Sequence, residues 1–255
     1  MKRGAWNKFV KARDHFRYAT EELARSLPKL KSVQQEFVYS RAGGKNSSYA
    51  VETPVVYNSA LDDVAIGDEI KMILVADNPG RREQAAENRR YLVGPSGKIA
   101  QKFFCGNPAL GIDFLKNVII LNKTPIHSPR TVELRELCRL EAGTGGSSIA
   151  SALEKSQRTM ASLLLEFHEA LNTQVWIIGY SEMKKGGIFE VYTETLKELY
   201  ADNEMYKQIF FFRHFSMNQF TIDLKQQALP GETVVKSLRR IGKAYRERVL
   251  GRQSC

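Results

Sequence analysis

Polar side chains that could take part in chemistry follow a short apolar run near residue 76. The run 73–76 (Ile-Leu-Val-Ala) is typical of a buried strand, and Asp77-Asn78-Pro79-Gly80 comes directly after it. The carboxamide of Asn78 can both donate and accept hydrogen bonds, so it can position a water molecule or read the edge of a base. Open α/β sheets bind ligands in the loops at the carboxyl ends of their strands. This stretch is therefore the first candidate site.

Two further polar residues close apolar runs later in the chain. Asn122 ends the run 118–122, and His214 follows the aromatic run 210–212. Each of these residues also has an ordinary structural interpretation. Asn78 and Asn122 can begin turns, and a single histidine is more often structural than functional.

Taken together, three segments resemble motifs of the uracil-DNA glycosylase superfamily. Asp77-Asn78-Pro79-Gly80 resembles the first motif of the mismatch-specific and single-strand-selective branches, and 93–97 (Val-Gly-Pro-Ser-Gly) resembles its continuation in the iron–sulfur branch. Segment 118–125 resembles the second strand of the family. Segment 210–216 (Phe-Phe-Phe-Arg-His-Phe-Ser) resembles the fourth strand with its His-Pro-Ser motif. The motifs occur in the family's order.

This resemblance implies a DNA repair enzyme of base excision repair that hydrolyses the N-glycosidic bond of a flipped-out uracil or related deaminated base. Asn78 would position the water, and His214 would stabilise the negative charge on the departing base. Asn122 would select the base by donating to uracil O4 and accepting from N3–H. Asp77 would be an auxiliary carboxylate, although strand alternation predicts that it points away from Asn78. The reaction needs neither a metal nor an organic cofactor.

The chain departs from the family at two places. Phe215 replaces the proline of the His-Pro-Ser motif, so Met217 or Phe220 becomes the expected apolar wedge in the DNA. Leu92 replaces the phenylalanine that the iron–sulfur branch has before its Val-Gly step. The remaining candidates for stacking on the flipped base are then Tyr91 and Phe104.

Several loops carry residues suited to gripping DNA phosphates, and the net charge of +10 favours a polyanionic partner. Basic, hydroxyl and apolar side chains in these loops give the predicted DNA contacts, namely Arg81, Arg82, Ser128, Arg130, Lys184, Lys185, Ser216 and Met217. The segment 94–98 (Gly-Pro-Ser-Gly-Lys) resembles the end of a P-loop. Its surroundings lack the other glycine and the Ser or Thr that a P-loop needs, so we reject an NTPase.

Two alternatives to a uracil glycosylase stay open. A non-catalytic nucleic-acid-binding protein with the same fold would explain the altered His-Phe-Ser motif. A glycosylase for hypoxanthine or another lesion would explain the change at Leu92.

Composition restricts the remaining classes of protein. The three cysteines (Cys105, Cys138 and Cys255) are too few and too scattered for a disulfide framework or the four-cysteine cluster of the iron–sulfur branch, so we expect no metal cluster. No apolar run of 18 residues is present, and we expect no signal peptide. We expect a monomer without membrane association, located in the cytoplasm and associated with the nucleoid if the source is bacterial.

The elements that must position these residues follow from the hydrophobic pattern. Short runs rich in Ile, Val and Phe at 71–76, 117–122, 174–178 and 208–212 predict buried parallel strands. Helical patterns cover 149–171 and 232–249 between and after them. We therefore predict an α/β three-layer sandwich of uracil-DNA glycosylase type, with a short, mainly parallel central sheet of about four strands. Residues 1–65 would form a basic helical extension that includes a helix over 1–40 and a loop or short hairpin in 41–68, and residues 66–255 would form the α/β domain.

Overall fold

The computed structural model of the protein describes residues 1–41, 49–140 and 148–251. The four strands are short and coincide with the four apolar runs of the sequence: β1 (Met72–Ala76), β2 (Val118–Asn122), β3 (Gln174–Ile178) and β4 (Ile209–Phe212). The helices in the described ranges are α1 (Arg3–Ser26), α2 (Leu30–Arg41), α3 (Pro95–Cys105), α4 (Glu133–Leu140), α5 (Ile149–Leu171), α6 (Glu190–Tyr200), α7 (Gln219–Gln227) and α8 (Val234–Leu250).

All strand pairs in the sheet are parallel, and the strand order is β2-β1-β3-β4. Ala76 is paired with Asn122, and Ile178 with Phe212, so the strands end near one level at the carboxyl edge. Parallel strands need long crossover connections, which the helices between the strands provide. The carboxyl ends of all four strands therefore meet at one edge of the sheet.

Alternate residues of each strand contribute to two separate hydrophobic clusters. Val75 and Ile177 pack with α1, α5 and α6 on one face, while Leu74 and Ile178 pack with α3, α7 and α8 on the other. Because both faces are covered by helices, the strands are apolar apart from Asn122 and Gln174 at their ends. The predicted α/β three-layer sandwich with a parallel central sheet is confirmed.

Local sequence explains where the helices that frame the sheet begin. The Ser148 side chain accepts a hydrogen bond from the Ser151 N–H at the start of α5, and Thr233 accepts from the Lys236 N–H at the start of α8. Helix α3 begins with Pro95, whose missing N–H costs nothing in the first helical turn.

The N-terminal segment is two helices rather than the single helix expected over 1–40. The helix breaks at Leu27-Pro28, because proline disfavours helical conformation in the residue before it. Phe9 and Phe16 of α1 are fully buried, and Phe9 contacts Phe167 of α5 with ring centroids 5.5 Å apart. The predicted division at residue 65 therefore separates two segments that share one hydrophobic core.

The hairpin considered for 41–68 does not form in its described part, residues 49–68. The one strand-like pairing there is an isolated antiparallel bridge between Val55 and Ile126. A short 3-10 helix, Ser59–Leu61, follows, and Asn58 caps it by accepting from the Ala60 N–H. In the described ranges, no helix combines the length and the apolar character needed to cross a bilayer.

The contact between α8 and β4 gives a first testable prediction. A Cβ added at Gly242 would lie 2.7 Å from Phe210 Cβ and 2.7 Å from Phe212 Cζ. We expect Gly242→Ala to lower the free energy of unfolding by about 1–3 kcal/mol, because overpacking forces the two elements apart. Thermal and denaturant unfolding measure this change. Gly4→Ala, whose Cβ meets nothing within 4 Å, is the control, and equal stability of both variants would contradict the packing.

Candidate functional site

A polar cleft of about 920 Å³ lies at the carboxyl edge of the sheet. It opens between β1 and β3, where the chain leaving β1 reaches α3 on one face and the chain leaving β3 reaches α6 on the other. Loops that diverge in this way leave a crevice, which is where open α/β sheets bind ligands. The volume falls in the range of about 300–1,000 Å³ that is usual for small-ligand sites.

A buried ion pair between Lys123 and Asp77 lies at this edge of the sheet. Lys123 is 0% exposed, and its Nζ donates to Asp77 Oδ1 at 2.5 Å and to the Ile178 carbonyl at 2.6 Å. One ammonium group thereby joins the carboxyl ends of β1, β2 and β3. Burial lowers the pKa of Lys123, and Asp77 opposes this by raising it.

Gly179 is needed beside this ion pair. Its φ is +79°, and a Cβ at this position would lie 2.5 Å from Asp77 Oδ1. A side chain here would be strained by the backbone conformation and would also displace the carboxylate.

Asn78 lies in the cleft with its amide held by the loop that follows β2. Its Nδ2 lies 3.0 Å from Ser128 Oγ and 3.2 Å from the Ser128 carbonyl, and Thr131 Oγ1 donates to Asn78 Oδ1 at 3.0 Å. Because the Ser128 carbonyl can only accept, the amide nitrogen of Asn78 faces Ser128 and its oxygen faces Thr131. Asn78 is thus oriented before any ligand enters.

Asp77 lines the same cleft as Asn78, contrary to the expectation that it points away. Strand β1 ends at Ala76, so the alternation of side chains does not extend to these residues. The Thr131 hydroxyl, which donates to Asn78 Oδ1 at 3.0 Å, also lies 3.3 Å from Asp77 Oδ2.

Two buried groups brace the loop that carries Asn78, and the first is His127. Its Nδ1 lies 2.8 Å from the Pro79 carbonyl and its Nε2 lies 2.8 Å from the Tyr49 hydroxyl. The carbonyl can only accept, so Nδ1 carries the proton and Nε2 accepts from Tyr49. Burial lowers the pKa of His127 to about 4, which keeps the ring neutral at physiological pH.

The second brace is Glu83. Its Oε2 accepts from the Gly80 N–H at 3.1 Å, and its Oε1 accepts from the Leu92 N–H at 2.9 Å. The carboxyl group thereby ties the Asn-Pro-Gly turn to Leu92, which has a φ of +53°. Burial raises the pKa of Glu83 to about 7, against the lowering effect of these two N–H groups.

His214 reaches the cleft from the end of β4 with its tautomer set by the backbone. Its Nδ1 accepts from the Ser216 N–H at 3.0 Å and contacts Ser216 Oγ at 2.8 Å. In the neutral ring the proton is therefore on Nε2. Burial lowers the pKa of His214, with Asp77 raising it and Lys123 lowering it further. The site thus holds a neutral imidazole whose Nε2–H can donate.

Asn122 ends β2 beside Ala76 but does not line the cleft. Its side chain is 1% exposed, and neither Oδ1 nor Nδ2 has a hydrogen-bond partner among the described residues. Buried amides without partners are uncommon and costly.

The two aromatic residues expected to stack on a base lie away from the cleft. Tyr91 is buried and donates to the Val56 carbonyl at 2.6 Å, and Phe104 packs in the core against Phe114 and Trp176. Leu92 does line the cleft. Tyr180 is the one Phe, Tyr or Trp ring among its described lining residues.

Most of the predicted phosphate contacts surround the cleft. Its lining includes Arg81, Arg82, Ser128, Arg130, Lys184 and Ser216, and Lys185 is exposed without lining it. At the rim, Met217 is 82% exposed, and it and Asn218 have positive φ values of 54° and 58°. Phe220 is buried and stacks on Phe215 at 4.4 Å, so it is not available as a wedge.

Sequence reasoning missed several groups that the fold brings to this site. Lys123, Glu83 and His127 are buried charged or titratable residues, a type that is rarely buried without a role. Their neighbours in sequence gave no indication of which loop each would contact. Arg213 and Arg248 also line the cleft, the second from the far end of α8.

The fold and the site define a parallel three-layer α/β protein with a polar, cation-rimmed cleft at the carboxyl edge of its sheet. No protein-family model matches this sequence, and a search of curated proteins found no significant match. Among the described residues, no three His, Cys, Asp or Glu side chains are grouped so that they could hold a metal ion, and Cys255 lies outside those residues.

The brace formed by Glu83 predicts a pH-dependent stability. Its pKa is about 7 in the folded protein against an ordinary 4.5, so the folded state binds more protons between these values. Stability from this group is therefore complete below pH 4.5 and is lost as the pH rises through 7. The loss is at most about 3 kcal/mol, since one pKa unit corresponds to about 1.4 kcal/mol.

Glu83→Gln removes this titration. Wild type loses this stabilisation as the pH rises, and the variant does not. We therefore expect the free energy of unfolding of the variant minus that of wild type to be larger at pH 8.5 than at pH 5. Denaturant unfolding at both pH values measures the difference. Glu87→Gln on the same loop is the control. If the free energies of unfolding of wild type and Glu83→Gln differed by the same amount at both pH values, a titrating buried carboxyl at Glu83 would be contradicted.

Proposed function

We propose that this protein is a monofunctional DNA glycosylase that hydrolyses the N-glycosidic bond of a deaminated base, uracil first. The observation that carries the proposal is the pairing, in one cleft, of a pre-oriented amide with a neutral imidazole: Asn78 and His214. They enter the cleft from β1 and β4, and the loops after β2 and β3 complete it. Two of the three segments that resemble the glycosylase motifs, 77–80 and 210–216, supply this pair.

The water that attacks C1′ would be held by Asn78. With Nδ2 bonded to Ser128 and Oδ1 accepting from Thr131, the Oδ1 atom retains one lone pair for a water proton. An amide is too weak a base to remove that proton early. The reaction would therefore proceed through a transition state with positive charge on the sugar, and the carboxylate of Asp77 is the nearby anion that stabilises it.

The departing base would be stabilised by His214. As the C1′–N bond breaks, its electrons move onto the base, and the Nε2–H donor meets the oxygen on which negative charge collects. The water oxygen bonds to C1′, and its proton leaves to solvent or the base. The bonds from Ser216 that hold the tautomer make this donor available without rearrangement.

The rim of the cleft fits a nucleic-acid backbone. Arg81 and Arg82 lie on the loop after β1 and Lys184 lies on the loop after β3, so they can contact phosphates on both sides of an extruded nucleotide. Met217 projects from the rim next to the His214 loop and is the expected wedge that fills the gap in the duplex.

A second candidate, a glycosylase for hypoxanthine or another enlarged base, is favoured by the lining of the cleft. Leu92 offers an apolar contact without a ring, and Tyr180 is the remaining candidate for stacking. A cleft of about 920 Å³ also has room for a purine. Base release from matched duplex and single-stranded substrates with one uracil or one hypoxanthine distinguishes the two activities.

Replacement of Asn78 tests the proposed chemistry. We expect Asn78→Ala to slow single-turnover base release by about two orders of magnitude or more, the scale of losing one positioned transition-state contact, while DNA affinity stays nearly unchanged. Asn88→Ala on the same loop is the matched control, since Asn88 does not line the cleft. A wild-type protein that binds lesion DNA but releases no base from any substrate would favour the non-catalytic DNA-binding alternative instead.

A further inference from the structure

A second cavity of about 1,100 Å³ opens at the opposite, amino-end edge of the sheet. Its walls include Thr173 and Gln208, which precede β3 and β4, and residues of α8. None of the residues that line the cleft near Asn78 lines this cavity. The proposed glycosylase chemistry therefore assigns nothing to it.

The floor of this cavity is apolar and aromatic. Trp176 and Phe212 lie with ring centroids 4.6 Å apart, and Phe210 and Leu238 extend the same surface. Trp176, Phe212 and Leu238 are each 3% exposed, so the half-buried Phe210 is the ring that a flat apolar group could cover, which favours binding by removing apolar surface from water.

One wall carries a row of positive charge. Arg239, Lys243 and Arg246 are spaced four and three residues apart on α8, so they lie on one face of the helix over about 10 Å. Glu247 is the one acidic residue in the described lining. Lys243 approaches it at 3.8 Å, whereas Arg239 and Arg246 form no ion pair with a described carboxylate.

Arg246 is the strongest indication that an anion belongs here. Its side chain is 5% exposed, and Nη1 donates to the carbonyls of Tyr206 and Ile209 at 3.0 and 3.3 Å. Its Nε is buried without a hydrogen-bond partner among the described residues. The guanidinium also stacks on the Tyr206 ring, with Cζ 4.2 Å from the ring centroid, but no carboxylate among the described residues neutralises it, and an anionic ligand would supply both the charge and acceptors.

We propose that this cavity binds a small aromatic anion, with its carboxylate or phosphate against the row Arg239–Lys243–Arg246 and its ring against Phe210. The ring matches the floor and the anionic group matches the wall. A purely aliphatic anion would leave Phe210 without a planar partner, and an uncharged ring would leave the guanidinium of Arg246 without a counter-charge. The site is independent of base release, because it lies at the other edge of the sheet.

Binding of 8-anilino-1-naphthalenesulfonate, an aromatic sulfonate whose fluorescence rises on binding, tests this proposal on the full-length protein. We expect saturable binding by wild type and a dissociation constant raised about tenfold or more in the double variant Arg239→Glu/Lys243→Glu, because both exposed cations are replaced by repelling charges. Lys236→Glu, an exposed charge reversal on α8 outside the cavity, is the matched control and should change the constant less than about threefold. Circular dichroism and thermal unfolding check that each variant is folded.

Competition identifies the anionic group. Displacement of the probe from wild type by deoxyadenosine monophosphate assigns a phosphate ligand, and displacement by indole-3-acetate assigns a carboxylate ligand. Absence of saturable binding, or the same dissociation constant for wild type and the folded double variant, would overturn the proposal.

Discussion

The carboxyl ends of three parallel strands are held together by the ammonium group of Lys123. It follows β2, bonds to the carboxylate that follows β1 and bonds to the last carbonyl of β3. Parallel strands joined by helices have no turn to fix their ends to one another, so this edge depends on side chains for its geometry. Loss of one partner would leave the other charge buried and uncompensated, which typically costs about 3–5 kcal/mol.

The polar groups of the cleft are arranged around this ion pair. Asp77 accepts from Lys123 on one oxygen and faces Thr131 with the other, and Thr131 also contacts Asn78. Asp77 and Lys123 shift the pKa of His214 in opposite directions. A change at Lys123 would therefore affect both the contacts that orient the amide and the pKa of the imidazole. Glu83 and His127 brace the same turn from behind.

The sequence predicts the strands well because each is a short apolar run buried on both faces, and such runs depend little on distant residues. It also identifies Asn78 and His214 as cleft residues, since each lies two residues after the end of a strand. Which side chain reaches the cleft beyond a strand end is decided by contacts far apart in the chain. Asp77 faces the cleft because strand geometry stops at Ala76, and Tyr91 is withdrawn because its hydroxyl bonds to Val56. Phe220 is buried under Phe215, leaving Met217 exposed.

The central claim is that the cleft receives a nucleotide extruded from DNA. The most direct measurement is stopped-flow fluorescence of 2-aminopurine placed next to a single deoxyuridine in duplex DNA, recorded on mixing with wild-type protein. Extrusion of the deoxyuridine unstacks its neighbour, so the account predicts a rise in fluorescence before base release, and no rise for a duplex with thymidine at that position. Tight binding of both duplexes with unchanged 2-aminopurine fluorescence would contradict it.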